Sequence, residues 1–158
     1  MTAPELCTVQ LVDFPLPVYG RSLEHSTELM REFALIALRH REGESPVLPV
    51  RLLGLVDSLT RDYAGITDAT DQRRDNALEA GLVSVDLTYV VPPSAAEACR
   101  ALRAVFDEAD EFCVSGDSLL TVATPPEALR FRNWYFDEFI AQIAGAEPTP
   151  WPEYARAT

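Results

Sequence analysis

The sequence predicts a mainly α fold, an up-and-down bundle of about four helices joined by short extended segments. Three observations lead there. Long stretches carry apolar residues at three- and four-residue spacing, which places them on one side of a helix. Two consecutive stretches are each announced by a double proline, at Pro92-Pro93 and Pro125-Pro126. The strictly alternating stretches are short and few, so any sheet is minor.

The chain has 158 residues, of which 47% are hydrophobic. That is enough for one buried core, and a single domain over 1–158 is expected, with residues 1–20 as an extended N-terminal arm and 146–158 as a proline-rich tail. In the arm, Cys7, Val9 and Leu11 alternate with Thr8 and Gln10 up to Pro15 and Pro17. Ser22 then caps a predicted helix over 22–40, whose apolar stripe is Leu29, Met30, Phe33, Ile36 and Ala37. The run Glu42-Gly43-Glu44-Ser45-Pro46 stops it.

A second helix is predicted over 49–80. Leu52, Val56, Leu59, Tyr63 and Ile66 form a helix-helix seam whose register continues through Thr70, Arg73 and Ala77 and turns polar beyond Gly65. After Gly81 the period changes: Val83, Val85, Leu87, Tyr89 and Val91 alternate with polar residues as in a half-buried strand. Leu119 to Ala123 is a third extended piece. The three either pair into a small sheet or pin helices together as connectors, and the connector reading is preferred.

The helix over 94–115 carries Ala98, Cys99, Leu102, Val105, Phe106, Ala109, Phe112 and Cys113 on one arc, and that over 124–144 carries Leu129, Tyr135, Phe136, Phe139, Ile140 and Ile143. The two share the wording E-A-x-R-x5-F-D-E, with Glu97 answered by Glu127 and Phe106 by Phe136, and each start reads as a capping box led by Ser94 or Thr124. They differ at two positions. Arg132 falls on the apolar arc of the second helix, where an unpaired charge would be costly, so an ion pair with a carboxylate such as Asp110 or Glu108 is expected. Trp134 falls on the polar arc beside Arg130, to be covered either by the tail Pro148 to Pro152 or by a partner.

Composition excludes several functions. The formal net charge is −12, and all thirteen basic residues are arginines, scattered rather than striped. Nucleic acid and anionic membrane surfaces are therefore unfavourable partners. No basic leader and no apolar run of about twenty residues occurs, which predicts a cytosolic protein without a membrane span. Three cysteines, at positions 7, 99 and 113, suit reduced thiols. There is no glycine-rich phosphate loop, no G-x-S-x-G, and no serine or cysteine beside a recognisable base, and no cofactor is expected. His25, Glu28 and Glu32 lie at i, i+3 and i+7, and with Asp107 or Glu111 they form a candidate for a metal or acid-base site.

The wording Val12 to Leu16, Glu28 to Ile36, Leu55-Val56-Asp57, Asp62 to Gly65, Val85 to Tyr89, Asp107 to Cys113, Ala123 to Glu127 and Trp134-Tyr135 covers most of the chain. It resembles a family of small bacterial proteins encoded near anti-sigma factors, their antagonists and the phosphatases of partner-switching systems. The resemblance implies a regulatory or adaptor protein, and it carries no catalytic residue. The chain lacks the D-x-G-x-G and glycine-rich lid of a GHKL-type kinase and the Asp-Ser-[Ser/Thr]-Gly phosphosite of an antagonist.

The resulting expectation is a non-enzymatic regulatory protein acting by protein-protein contact through Trp134, Arg130, Thr70, Arg73 and Arg74. The alternatives are a metal-dependent or acid-base enzyme in a helical bundle, and a homodimer completed through the long second helix.

Overall fold

The computed structural model describes residues 5–38, 48–115 and 124–158. It is mainly helical, in the order β1 (Cys7–Pro15), α1 (Leu16–Ala37), α2 (Leu48–Asp62), α3 (Asp68–Glu79), β2 (Ser84–Val91), α4 (Ala95–Ser115), α5 (Pro126–Ile143) and α6 (Trp151–Ala157). Six helices thus stand among the described residues, where the sequence reading expects about four. The predicted stop at 42–46 and the extended piece at 119–123 fall outside the described residues.

The N-terminal arm is a core strand. β1 pairs antiparallel with β2, Val9 opposite Tyr89 and Leu11 opposite Leu87. Val9, Leu11, Phe14, Leu87, Tyr89 and Val91 are all buried. The register shifts between Leu11 and Phe14, and Asp13 adopts φ 55 there. Its amide is held by Asp86 Oδ1 at 2.9 Å. This is a bulge of the kind that turns a strand, and the next residues enter a helix.

The first helix starts at Leu16, six residues before the predicted Ser22. Pro15 is extended at φ −83, ψ 100, and a proline lies within the first two helical positions, where no amide donor is needed. Tertiary contact fixes the start, because Leu16 N donates to Val83 O at 3.0 Å. The predicted second helix is two helices. Its seam breaks after Asp62, passes through Gly65 at φ 81, and restarts at Asp68 with Asp68 and Asp71 in the first turn.

The predicted caps are also rewired: the Thr124 hydroxyl goes to Asp110, and the Ser94 hydroxyl to Tyr63.

Four of the helices close a ring in which α1 packs on α2, α2 on α4, α4 on α5 and α5 on α1. α5 also lies against β1 and α6, so most of its length is covered. Ala128, Phe131, Trp134, Phe136, Glu138 and Phe139 are buried over slightly more than half of the helix circumference. That buried face is wider than a surface helix usually presents, and Arg130, Asn133 and Asp137 stand partly exposed on the opposite side.

Both outer edges of the sheet are closed by side chains at the same level. Gln142 exchanges two 2.8 Å hydrogen bonds with the main chain of Gln10. On the other edge Thr70 Oγ1 donates to Thr88 O at 2.6 Å, and Arg73 Nε to Asp86 O at 3.2 Å. An edge blocked in this way offers no ladder for a further strand.

Candidate functional site

The residues expected to form a surface interface are mostly engaged inside the molecule. Trp134 has no exposed surface, and its indole N–H donates to Thr149 O at 2.8 Å under the ring of Trp151, 5.6 Å away. The tail covers it, and Trp134 is not available to a partner. Thr70 and Arg73 cap the free edge of β2, as described above. Arg74 is ion-paired with Asp71 and Asp75 and lies 4.8 Å over the ring of Tyr19. Arg130 is the one member of the set that is partly exposed on α5 with no such role among the described residues.

Arg132 is placed against a carboxylate. Its Nη2 lies 3.0 Å from Asp110 Oδ2 and 2.9 Å from Asp107 Oδ1, and its guanidinium stands 5.5 Å from the Phe106 ring. Asp110 also accepts from Thr124 N at 3.0 Å and Thr124 Oγ1 at 2.6 Å. Burial works against its charged form. The Thr124 hydrogen bonds and the Arg132 guanidinium outweigh burial and hold the carboxyl below its ordinary value.

His25 is half-buried on α1 with Nε2 3.4 Å from Thr124 Oγ1. The pair has the appearance of a base beside a hydroxyl. However, the hydroxyl proton is committed to Asp110, and Arg132 Nη1 donates to the same oxygen at 3.3 Å. A nucleophile needs that proton directed at its base. Glu28 is exposed and Glu32 partly buried. Among the described residues no group of three His, Cys, Asp or Glu side chains is close enough to hold a metal ion, so His25, Glu28 and Glu32 do not form the metal site considered from their spacing.

Two clefts open to solvent lie between the helices instead. A cavity of about 250 Å3 opens between α1, α3 and α5, lined by Tyr19, His25 and Leu29 of α1, Arg74, Phe131 and Arg132 among others. A second of about 600 Å3 lies between α2, α3, α4 and α5, lined by Val56, Leu59, Leu102 and Phe139, with Asp68 and Asp71 as its only charged lining among the described residues. Phe106, Tyr135 and Phe136 line both, so the two share a wall. A polar chain runs along one side of this space: Tyr89 donates to Asp71 Oδ1 at 2.9 Å, Thr67 to Asp71 Oδ2 at 2.9 Å, and Arg74 Nη1 to Asp71 Oδ1 at 3.3 Å.

Burial pushes the phenols of Tyr89 and Tyr135 far up, and the Cys99 thiol to about 11. All three groups stay protonated at neutral pH, and the thiol is a poor nucleophile there.

Sequence reasoning placed Arg132 and Asp110 together but missed Tyr19, Asp71, Tyr89 and Tyr135. The available signal was Gly65. A polar turn inside a helical seam separates two helices and leaves the space between them open. Comparison with protein-family models, with curated proteins and with solved structures returns no match.

Proposed function

We propose that this chain is a non-enzymatic regulatory domain that takes a small amphipathic molecule into its helical ring and acts by contact with a protein partner. One observation carries the reading: two adjoining cavities of about 250 and about 600 Å3 meet at Phe106, Tyr135 and Phe136. Small-molecule sites typically occupy about 300–1,000 Å3 and have apolar walls with a few placed polar groups. The larger cavity, at about 600 Å3, has both features.

Enzymatic chemistry has less support, since the polar groups around the cavities are spent on one another. Asp110 is tied to Thr124 and Arg132, and Asp71 to Tyr89, Thr67 and Arg74. The homodimer reading loses its premise, because the long second helix it required is α2 and α3. The partner half of the proposal, including a place in a sigma-factor circuit, draws on the sequence resemblance alone.

The test is uptake of the neutral fluorophore N-phenyl-1-naphthylamine. Saturable uptake at one site is expected, with blue-shifted emission, and Ala98→Phe should suppress it by filling the larger cavity without altering the far-ultraviolet circular dichroism. Absence of uptake by the unaltered chain would overturn the proposal.

A further inference from the structure

The larger cleft carries a charge that nothing beside it balances. Its apolar walls include Val56 and Leu59 of α2, Leu102 of α4 and Phe139 of α5, and its only charged lining among the described residues is Asp68 and Asp71 of α3. Asp71 is occupied. Tyr89 and Arg74 donate to its Oδ1 and Thr67 to its Oδ2, and Arg74 supplies the opposite charge at 3.3 Å. Asp68 is exposed in the first turn of α3, and its carboxylate has neither a hydrogen bond nor an ion pair among the described residues. The amides of that turn offset about half a unit charge, which Asp68 shares with Asp71.

The hydroxyls that line the cleft beside Asp68 are already paired. Thr60 donates to Val56 O at 2.8 Å, Thr67 to Asp71, and the Tyr63 hydroxyl meets Ser94 Oγ at 3.0 Å. No arginine or histidine lines the cleft among the described residues. The arginines that stand over its aromatic wall, Arg103 at Phe136 and Arg132 at Phe106, are paired with Asp137 and with Asp107 and Asp110. An anionic head would therefore meet a carboxylate with no cation to hold it, in a chain whose net charge is −12. A neutral head gains at most a hydrogen bond there. An ammonium head gains the hydrogen bond and the charge, while its apolar body leaves water against the walls of the cleft.

We infer that the larger cleft takes a cationic amphiphile, with its apolar body between α2, α4 and α5 and its ammonium head at Asp68. This rests on the reading of the cleft as a ligand site. The experiment is displacement of N-phenyl-1-naphthylamine by decylamine, 1-decanol and decanoate at low ionic strength, compounds that share a chain and differ at the head. Decylamine displaces the fluorophore about fivefold better than 1-decanol, the size of one exposed ion pair, and decanoate displaces it least well. The advantage fades at about 1 M salt, where charges are screened within roughly 3 Å. Asp68→Asn removes it while fluorophore uptake persists. Glu79→Gln takes the same charge from an exposed position on α3 outside the cleft lining, and leaves the advantage in place.

Equal displacement by all three compounds, tighter binding of decanoate, or a decylamine advantage that survives Asp68→Asn or high salt overturns the inference and leaves the ligand site standing. An advantage lost equally in Glu79→Gln belongs to the overall charge of the chain and overturns the assignment to Asp68. No uptake of the fluorophore in the first place removes both the inference and the ligand site.

Discussion

Trp134 and Thr149 are joined by a single 2.8 Å hydrogen bond that hides the largest side chain of α5 beneath the C-terminal tail. Thr149 is gripped twice, since its amide donates to Glu138 Oε1 at 2.7 Å, one turn further along the same helix. Two side chains at i and i+4 thus take the two main-chain groups of one tail residue.

Truncation of Trp134 therefore removes both core volume and the tail's anchor. Trp134→Ala is expected to destabilise the chain by about 3–5 kcal/mol in urea unfolding. Trp134→Phe retains most of the packing but leaves the Thr149 carbonyl unsatisfied, at about 1–3 kcal/mol. Equal stability of Trp134→Ala and the parent chain would mean that the tail does not cover this residue.

The same grip gives the tail a pH dependence. Burial raises the Glu138 carboxyl above its ordinary value, in part offset by the hydrogen bonds from Thr149 and Gln142. A carboxyl with a raised folded value favours folding most when protonated. Its contribution is complete below the ordinary glutamate value of about 4.3 and is lost as pH rises through the folded value. Glu138→Gln keeps the acceptor without the charge. We expect it to unfold at higher temperature than the parent near neutral pH, with the difference closing on acidification toward about pH 4.

Asp110 behaves in the opposite sense. Its folded value is depressed, so its contribution is complete above the ordinary aspartate value of about 3.9 and disappears as pH falls through the lower folded value. Asp110→Asn leaves Arg132 with one carboxylate and should cost about 3 kcal/mol at neutral pH. In thermal unfolding followed from neutral pH to about pH 3, the variant should lose less stability than the parent. A parallel decline would show that Asp110 is not the group responsible.

The closure of the sheet edges yields a further expectation. Gln142→Ala removes two hydrogen bonds to Gln10 and re-exposes the outer edge of β1, for a loss of about 1–3 kcal/mol. Concentration-dependent association, read by light scattering, should accompany it, because the freed edge can accept another strand.

Much of the helical pattern was legible because it is periodic. α4 and α5 fall within two residues of their predicted spans, and Arg132 announced its ion pair by standing among Phe136, Phe139 and Leu129. What escaped depended on distant contacts. The strand Cys7–Pro15 reads as an arm until Val85 to Val91 pairs with it, and two strands separated by three helices share no local signal.

Trp134 was misplaced for a related reason. A helix wheel puts the whole polar flank in water, whereas the part of that flank that carries Trp134 is covered by Phe14 of β1 and by the tail. The cavities escaped entirely. Their walls are ordinary core residues, and the break at Gly65 that opens the space between α2 and α3 turns on a single φ of 81.

The central claim is that a small apolar molecule enters the ring of helices rather than adhering to its surface. Methyl-resolved NMR during titration with N-phenyl-1-naphthylamine tests this most directly. The account predicts that methyl signals of Val56, Leu59 and Leu102 in the larger cavity and of Leu29 in the smaller shift together and saturate at a single site. Shifts confined to the exposed methyls of Leu38, Leu82 and Val83, with the cavity methyls unmoved, would contradict it.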